Sequence, residues 1–222
     1  MSESKQGKIL LQKSMIKLLS IADLVTLLNA MLGFLALLLV FSKEFQMAAS
    51  LILLGLLADG LDGMVARRFG TGKIGESLEP LADMISLSVA PLVLFYVMYF
   101  DSVVSQPSMH LLLGVVIVFS LLCSIIRLSS FSLLKEKQFF IGLPTSASTV
   151  FLVLTSFLTP EIWLALLGII LLSVAMVSSI RFPKPGLKVD LIAAVFIVAT
   201  ILLDSMYYNI APLLLLVALL SY

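Results

Sequence analysis

Four carboxylates stand within two stretches of the chain that are otherwise apolar and long enough to cross a membrane. They are Asp59, Asp62, Glu79 and Asp83. An ionised acid at membrane depth costs roughly 2.5–3.5 kcal/mol on insertion scales, so four of them require a compensating positive charge. We expect two divalent metal ions to supply it, because carboxylate oxygens are ligands that Mg²⁺ and Mn²⁺ prefer.

The spacing of the four acids allows them to meet at one place. Asp59 and Asp62 are three residues apart, and Glu79 and Asp83 are four apart, so each pair projects from one face of its helix. A short loop joins the two helices, and both pairs can therefore point at a common centre. Two metal ions held there would clamp a phosphate and polarise it for displacement.

Small and basic residues accompany the first pair of acids. Gly63 and Ala66 lack bulk, so a ligand or a neighbouring backbone can approach this helix closely. Arg67 follows at the end of the apolar stretch, where its guanidinium is suited to binding phosphate oxygens. The segment thus combines candidate metal ligands with a candidate phosphate site.

Two other interpretations of the acids stay open from spacing alone. Acids buried in membranes also mark proton or cation pathways, so the chain could be a cation-coupled transporter. The acids could also pair with Arg67, Arg68 and Lys73. The sequence has no visible inverted repeat or Gly/Pro-broken pair of helices, which weakens the transporter interpretation.

Composition places the chain among membrane proteins. It has 222 residues, of which 61% are hydrophobic and 12% charged, and its mean hydropathy is +1.18. These values exclude an ordinary soluble domain. A net charge of +1 gives no case for binding nucleic acid, and Cys123, the single cysteine, has no partner for an internal disulfide.

The apolar runs predict an all-α, polytopic bundle of six core transmembrane helices followed by two C-terminal ones. Six spans with a re-entrant or tilted pair are the alternative, because the last two runs fall short of the roughly 20 residues that a span needs. The runs lie near Leu24–Phe41, Phe45–Ala66, Leu78–Phe100, Met109–Leu133, Leu143–Leu158, Ile162–Ile180, Val189–Leu203 and Ile210–Leu220.

Three segments follow from this pattern. Residues 1–20 alternate apolar and basic side chains at helical spacing, which predicts an amphipathic helix on the membrane surface. Residues 21–185 form the membrane domain that carries the acids. Residues 186–222 form a C-terminal transmembrane hairpin.

The basic residues predict the orientation of the spans. All but one of the 14 lie in segments that share one side of the membrane, and the exception is Lys43. By the positive-inside rule that side is cytoplasmic, so the N-terminus and the acids face the cytoplasm. The residues on that side are Lys5, Lys8, Lys13, Lys17, Arg67, Arg68, Lys73, Arg127, Lys135, Lys137, Arg181, Lys184 and Lys188.

The acidic segment resembles the signature of the CDP-alcohol phosphatidyltransferases, D-x2-D-G-x2-A-R-x8-G-x3-D-x3-D. Two departures stand out. Seven residues rather than eight separate Arg67 from Gly75, and Glu79 stands where the family has aspartate. The longer glutamate side chain reaches about one methylene further, which would offset a shifted backbone.

The resemblance implies a homodimeric membrane enzyme that uses two divalent metals, Mg²⁺ or Mn²⁺, to displace CMP from a CDP-linked lipid with an alcohol. The four acids would hold metal, and Asp83 would also take the proton of the alcohol. The CDP-lipid site would include Gly63, Ala66, Arg67 and Gly75. Thr26 and Asn29 on the first span are candidates for further contacts there, with an internal hydrogen bond between helices as the equal alternative.

Three further motifs resemble the serine-using branch of this family. They are Thr26-x2-Asn29-x3-Gly33, Arg127-Leu128-Ser129-Ser130-Phe131 and Phe140-Ile141-Gly142-Leu143-Pro144, of which the second is imperfect because Ser130 replaces a basic residue. They imply L-serine as the acceptor.

Arg127 is the main candidate for binding that acceptor. Its guanidinium would hold the serine carboxylate or a phosphate, and Arg181 and Lys184 are further candidates. The alternative is that Arg127 only caps its span and extends to the interface. The charges leave glycerol phosphate and inositol phosphate open as acceptors, and the lipid could be CDP-diacylglycerol or CDP-archaeol.

Overall fold

The structure is a computed structural model that describes residues 19–70, 72, 74–130, 139–158, 161–183 and 195. The predicted surface helix before residue 19, the C-terminal hairpin of residues 186–222 and Lys184 lie outside this part of the chain. The side chain of Arg67 lies outside it too, although its backbone belongs to a helix.

Six helical segments of the described chain correspond to the six predicted core spans. They are α1 (Ile21–Phe41), α2 (Phe45–Phe69), a third helix in three parts, α5 (Pro107–Ser130), α6 (Thr145–Leu158) and α7 (Ile162–Val177). The third helix runs from Gly75 to Val103 and consists of α3 (Gly75–Asp83), a π-helical turn (Met84–Val89, hereafter the π segment) and α4 (Ala90–Val103).

The protein is an integral membrane protein by the length and composition of its helices. Among the described residues, four helices are long and apolar enough to span a bilayer, namely α1, α2, the third helix and α5. The apolar α6 and α7 are shorter, at 14 and 16 residues. The predicted helical bundle is therefore present, while the count of six core and two further spans stays a prediction.

A capping box starts α1 at the end where the acids lie. The backbone N–H of Asp23 donates to Ser20 Oγ at 3.2 Å, and the backbone N–H of Ser20 donates to Asp23 Oδ2 at 2.7 Å. These bonds satisfy two donors that a helix start otherwise leaves unpaired. Within the bundle, α1 packs most extensively along α2 and also contacts α3 and the π segment.

Small side chains allow the helices to pack closely. One core cluster joins α1, α2, α4 and α6 and includes Ala36, Ala48, Ala49 and Ala90. Glycine, alanine and serine at such contacts let helix backbones approach each other in membranes, where apolar surface alone does not drive helices together. A second core cluster, which includes Phe95, contains residues of α4, α5, α6 and α7.

A very close backbone approach lies between α1 and the π segment. A Cβ atom added to Gly33 would lie only 2.5 Å from the Cα of Ser86. No side chain other than hydrogen fits there without moving the two helices apart. Gly33 is the last residue of the Thr26–Asn29–Gly33 motif, and this contact explains its place in that motif.

A short antiparallel ribbon links two loops at the acid-bearing end of the bundle. Strand β1 (Phe139–Ile141) pairs with β2 (Arg181–Pro183), with Phe140 opposite Phe182. The sequence predicted no strand here, because three-residue strands carry no detectable periodicity. The ribbon fixes the loop that leads into α6 against the end of α7.

Candidate active site

The two helices that carry the acids bring the four carboxyl groups next to one another. Asp59 lies close enough to Asp62, Glu79 and Asp83 for their charges to interact, and it is within hydrogen-bonding distance of Asp83. Asp62 and Asp83 are buried, with 4% and 7% of their surface exposed, whereas Asp59 and Glu79 are partly exposed. Carboxylates this close repel each other unless a proton or a cation lies between them.

Helix α1 supplies a hydrogen-bond donor to each of the two buried acids. The Thr26 hydroxyl donates to Asp62 Oδ2 at 2.7 Å, and Asn29 Nδ2 donates to Asp83 Oδ1 at 2.9 Å. Thr26 and Asn29 are three residues apart and therefore share one face of the helix. Both side chains therefore form internal hydrogen bonds between helices, which was one of the two alternatives from the sequence.

The side chain of Asn29 is enclosed completely. It has no exposed surface, and its Oδ1 atom has no hydrogen-bond partner among the described residues. A Cβ atom added to Gly55 would lie 3.0 Å from this oxygen, so α2 closes over it. Leaving a buried acceptor unpaired costs about 1–3 kcal/mol. The bond from Nδ2 to Asp83 is the favourable interaction that offsets this cost.

The donor set has the chemistry that a hard divalent cation requires. All four acids offer carboxylate oxygens, and two of the four are buried next to their neighbours. Within the described ranges, however, no three Asp, Glu, His or Cys side chains are already arranged as a metal-binding group. The acids thus adjoin each other without forming a closed ligand shell.

The face of α2 beside the acids is open. A Cβ atom added to Gly63 would meet no atom within 4 Å, and the same holds for Gly60 one turn earlier. Ala66 and Arg67 follow in the last turns of α2, and Gly75 begins α3 across the short connection. The helix face at Gly60 and Gly63 therefore leaves open space next to the carboxylates.

Arg127 lies at the end of α5 and is buried. Its Nε–H donates to the carbonyl of Leu143 at 3.2 Å, which ties α5 to the loop before α6. The same loop is held from the other side, because the N–H of Gly142 donates to the carbonyl of Ile180 at 2.8 Å. Arg127 therefore does not simply extend toward the membrane surface.

Arg181 and Gly142 belong to the ribbon and to the loop that follows it. Arg181 is exposed and lies in β2 opposite Ile141. Gly142 has a positive φ of 79°, and an added Cβ would collide with the carbonyl oxygen of Met176. The glycine of the Phe140–Pro144 motif is therefore required by backbone conformation and by close contact.

Sequence reasoning assigned no role to two residues that the structure places near the acids. Asp23 is buried in the capping box of α1, and its charge interacts with that of Asp62. Thr149 of α6 bonds to the π segment that follows Asp83. The capping signal of Ser20 and Asp23 was visible in the sequence, but a contact across more than 60 residues, such as that of Thr149, was not.

Comparison with known proteins identifies the family. The model of the CDP-alcohol phosphatidyltransferase family matches residues 19–181. The chain is 36% identical to the archaetidylserine synthase of Methanothermobacter thermautotrophicus over 179 residues, which cover 78% of this chain and 73% of the relative.

Two further relatives carry the name CDP-diacylglycerol–serine O-phosphatidyltransferase. The one from Methanocaldococcus jannaschii is 38% identical over 76% of each chain, and the one from Bacillus subtilis is 32% identical over 72% of this chain and 88% of the relative. With the family signature assembled at one end of a membrane bundle, the chain belongs to the CDP-alcohol phosphatidyltransferases and is an enzyme of that family.

Proposed function

We propose that this enzyme transfers the phosphatidyl-type group of a CDP-linked lipid to L-serine and releases CMP. The observation that carries the choice of serine is that relatives at 32–38% identity, from archaea and from bacteria, are named as transferring to serine. Membership of a transferase family decides against the transporter interpretation of the acids.

The reaction forms one bond and breaks one. The serine hydroxyl oxygen bonds to the phosphorus that carries the lipid, and the bond from that phosphorus to the oxygen bridging to CMP breaks. Asp83 takes the hydroxyl proton, and CMP leaves with the bridging oxygen. Support for Asp83 as the base is its buried carboxylate at the end of α3, oriented by the bond from Asn29.

Asp59, Asp62, Glu79 and Asp83 would hold the two divalent ions that the family signature implies. Bound Mg²⁺ or Mn²⁺ would neutralise the diphosphate and polarise it for displacement. Thr26 would keep the Asp62 carboxylate turned toward that centre through the 2.7 Å hydrogen bond. Gly63 and Ala66 would leave room for the nucleotide, and Arg67 and Gly75 would lie at the mouth of the site.

Arg127 is the residue we assign to the acceptor carboxylate, with Arg181 and Lys184 as secondary candidates. Arg127 is buried on a helix that contacts both α3 and the π segment, and its Nε is anchored on Leu143. A guanidinium that is held in place has a defined orientation, which suits a planar carboxylate.

Three properties of the whole enzyme belong to the same proposal. The positive-inside pattern supports an active site on the cytoplasmic side, and the family signature supports a homodimer. The domain limits of residues 21–185 and 186–222 follow from the apolar runs. CDP-archaeol and CDP-diacylglycerol both present hydrocarbon chains to the apolar walls of the membrane domain, so the proposal includes both lipids.

The test is an acceptor panel with the purified enzyme in lipid nanodiscs. CDP-archaeol and CDP-diacylglycerol are each supplied with serine, glycerol phosphate or inositol phosphate, with Mg²⁺ or Mn²⁺, and both CMP and the lipid product are measured. We expect CMP release and product with serine. Product with another acceptor but not with serine would overturn the acceptor assignment and leave the reaction class in place.

Arg127 is tested in the same panel. Replacing it by glutamine should raise the KM for serine at least tenfold while changing the KM for the CDP-lipid less than threefold. An equal effect on both constants would place Arg127 at the phosphates instead. The variant Lys43→Gln, at an exposed residue between α1 and α2, is the control for loss of a positive charge away from the proposed site.

A further inference from the structure

The third transmembrane helix changes its hydrogen-bonding pattern directly after Asp83. Residues Met84–Val89 form the π segment, and the N–H of Ala90 accordingly bonds to the carbonyl of Ile85, five residues earlier. Such turns are rare in helices and occur often at functional sites, because they rotate the side chains before the turn relative to those after it. The direction of the Asp83 side chain therefore depends on this segment.

Pro91 gives a physical reason for the irregular turn. In an α-helix the carbonyl of Leu87 would accept the N–H four residues later, but that residue is Pro91, which has no N–H. The proline ring would also collide with that carbonyl in a regular helix. The Leu87 carbonyl thus lacks its α-helical partner in the interior of the bundle, where an unsatisfied carbonyl costs several kcal/mol.

Thr149 of α6 supplies a hydrogen-bond donor to this carbonyl. Its hydroxyl donates to the carbonyl of Leu87 at 2.6 Å, and Thr149 has no exposed surface. The hydroxyl also lies 3.0 Å from the carbonyl of Thr145 in its own helix, which is the common local bond of a helical threonine. The contact between helices is the shorter of the two, so the hydroxyl stabilises the π segment.

The π segment is held from the opposite side by α1. Gly33 lies against the backbone of Ser86, and Asn29, four residues earlier on α1, bonds to Asp83. Asp83 is therefore oriented by α1 directly, and the turn that follows it is fixed between α1 and α6. Thr149 is the polar contact on the α6 side.

We propose that Thr149 is a positioning residue for Asp83: its hydroxyl holds the π segment and thereby sets the direction of the carboxylate that takes the proton of the acceptor. The proposal rests on the proposed role of Asp83 as the base. It does not depend on which alcohol is the acceptor, because the direction of the base matters for each of them.

The experiment removes the hydroxyl and keeps the shape. Thr149→Val should lower kcat about tenfold or more while changing the KM for the CDP-lipid less than twofold, and Thr149→Ser should restore at least half of the wild-type kcat. Thr155→Val is the matched control, because within the described part of the chain the Thr155 hydroxyl bonds only to carbonyls of its own turn. This control should keep the wild-type kcat.

Amide hydrogen exchange provides a second measurement that needs no turnover. Residues 84–92 should exchange faster in Thr149→Val than in Thr149→Ser, while α2 stays unchanged. If the valine variant does not fold, the comparison of Thr149→Ser with Thr149→Ala isolates the hydroxyl instead. The proposal would be overturned if the kcat of the valine or the alanine variant lay within twofold of the kcat of the serine variant.

The experiment distinguishes a failure of this proposal from a failure of the proposed function. All variants are assayed with the acceptor that the wild-type enzyme uses in the panel described above. Failure of serine as the acceptor then leaves the Thr149 comparison intact. A full loss in Thr149→Val combined with an active Asp83→Asn variant would instead show that Asp83 is not the base.

Discussion

Asn29 and Asp83 are 54 positions apart in the sequence and form a buried hydrogen bond of 2.9 Å between α1 and α3. This bond connects the first transmembrane helix to the acid that we propose as the base. We therefore expect Asn29 to orient this carboxylate.

Replacing Asn29 by leucine tests this role. The variant keeps a similar volume, removes the donor to Asp83 and also removes the unpaired Oδ1. A hydrogen bond to a charged group contributes about 1.5–3 kcal/mol, so kcat should fall roughly 10- to 100-fold. The KM for the CDP-lipid should stay within threefold of wild type. A large rise in that KM with an unchanged kcat would instead identify Asn29 as a substrate contact.

Thr26→Val should lower the affinity of the enzyme for the divalent cation and leave the proton transfer unaffected. The variant removes the 2.7 Å bond to Asp62 and keeps the shape of the side chain. Ligands whose orientation is no longer fixed lose about 10- to 100-fold in metal affinity. Titrating Mn²⁺ against activity should therefore show a higher half-saturating concentration, which Thr26→Ser should restore. Identical titration curves for the valine variant and the wild type would contradict this role.

Asp83→Asn should abolish turnover while CDP-lipid binding is largely retained. An amide occupies the same volume as the carboxyl group but is a poor base, and general-base catalysis contributes about 10²- to 10⁴-fold. Asp59→Asn and Asp62→Asn should weaken metal binding itself, measured calorimetrically with Mn²⁺. Near-normal turnover of Asp83→Asn would show that another group takes the proton.

Glu79→Asp restores the residue of the family signature but should lower activity. The connection between Arg67 and Gly75 is one residue shorter than in the signature, and we expect the longer side chain of Glu79 to compensate for it. The Mn²⁺ dependence of kcat measures the effect. A gain in activity would mean that the glutamate does not compensate for the shorter connection.

Gly33→Ala should destabilise the protein through the contact between α1 and the π segment. The added methyl group would lie 2.5 Å from the Cα of Ser86, and overpacking of this kind costs about 1–3 kcal/mol. A lower Tm in a fixed detergent is the measurement. Gly114→Ala is the control, because a Cβ there meets nothing within 4 Å and should leave the Tm unchanged or slightly higher.

The sequence alone determined the features that depend on local pattern. Hydropathy located the six helices of the described bundle to within a few residues, because a helix that crosses a membrane must be apolar over its whole length. The spacing of Asp59, Asp62, Glu79 and Asp83 predicted that they would lie together. A short connection between two helices leaves the pairs few other arrangements.

Only the tertiary structure decided what holds those acids in place. Thr26 and Asn29 were candidates for the substrate site or for an internal bond, and the packing of α1 against α2 and α3 brings both into hydrogen bonds with the acids. The π segment, its bond to Thr149 and the ribbon between β1 and β2 were not predicted. They depend on contacts between residues far apart in the chain, whose partners leave no periodic signal in a single sequence.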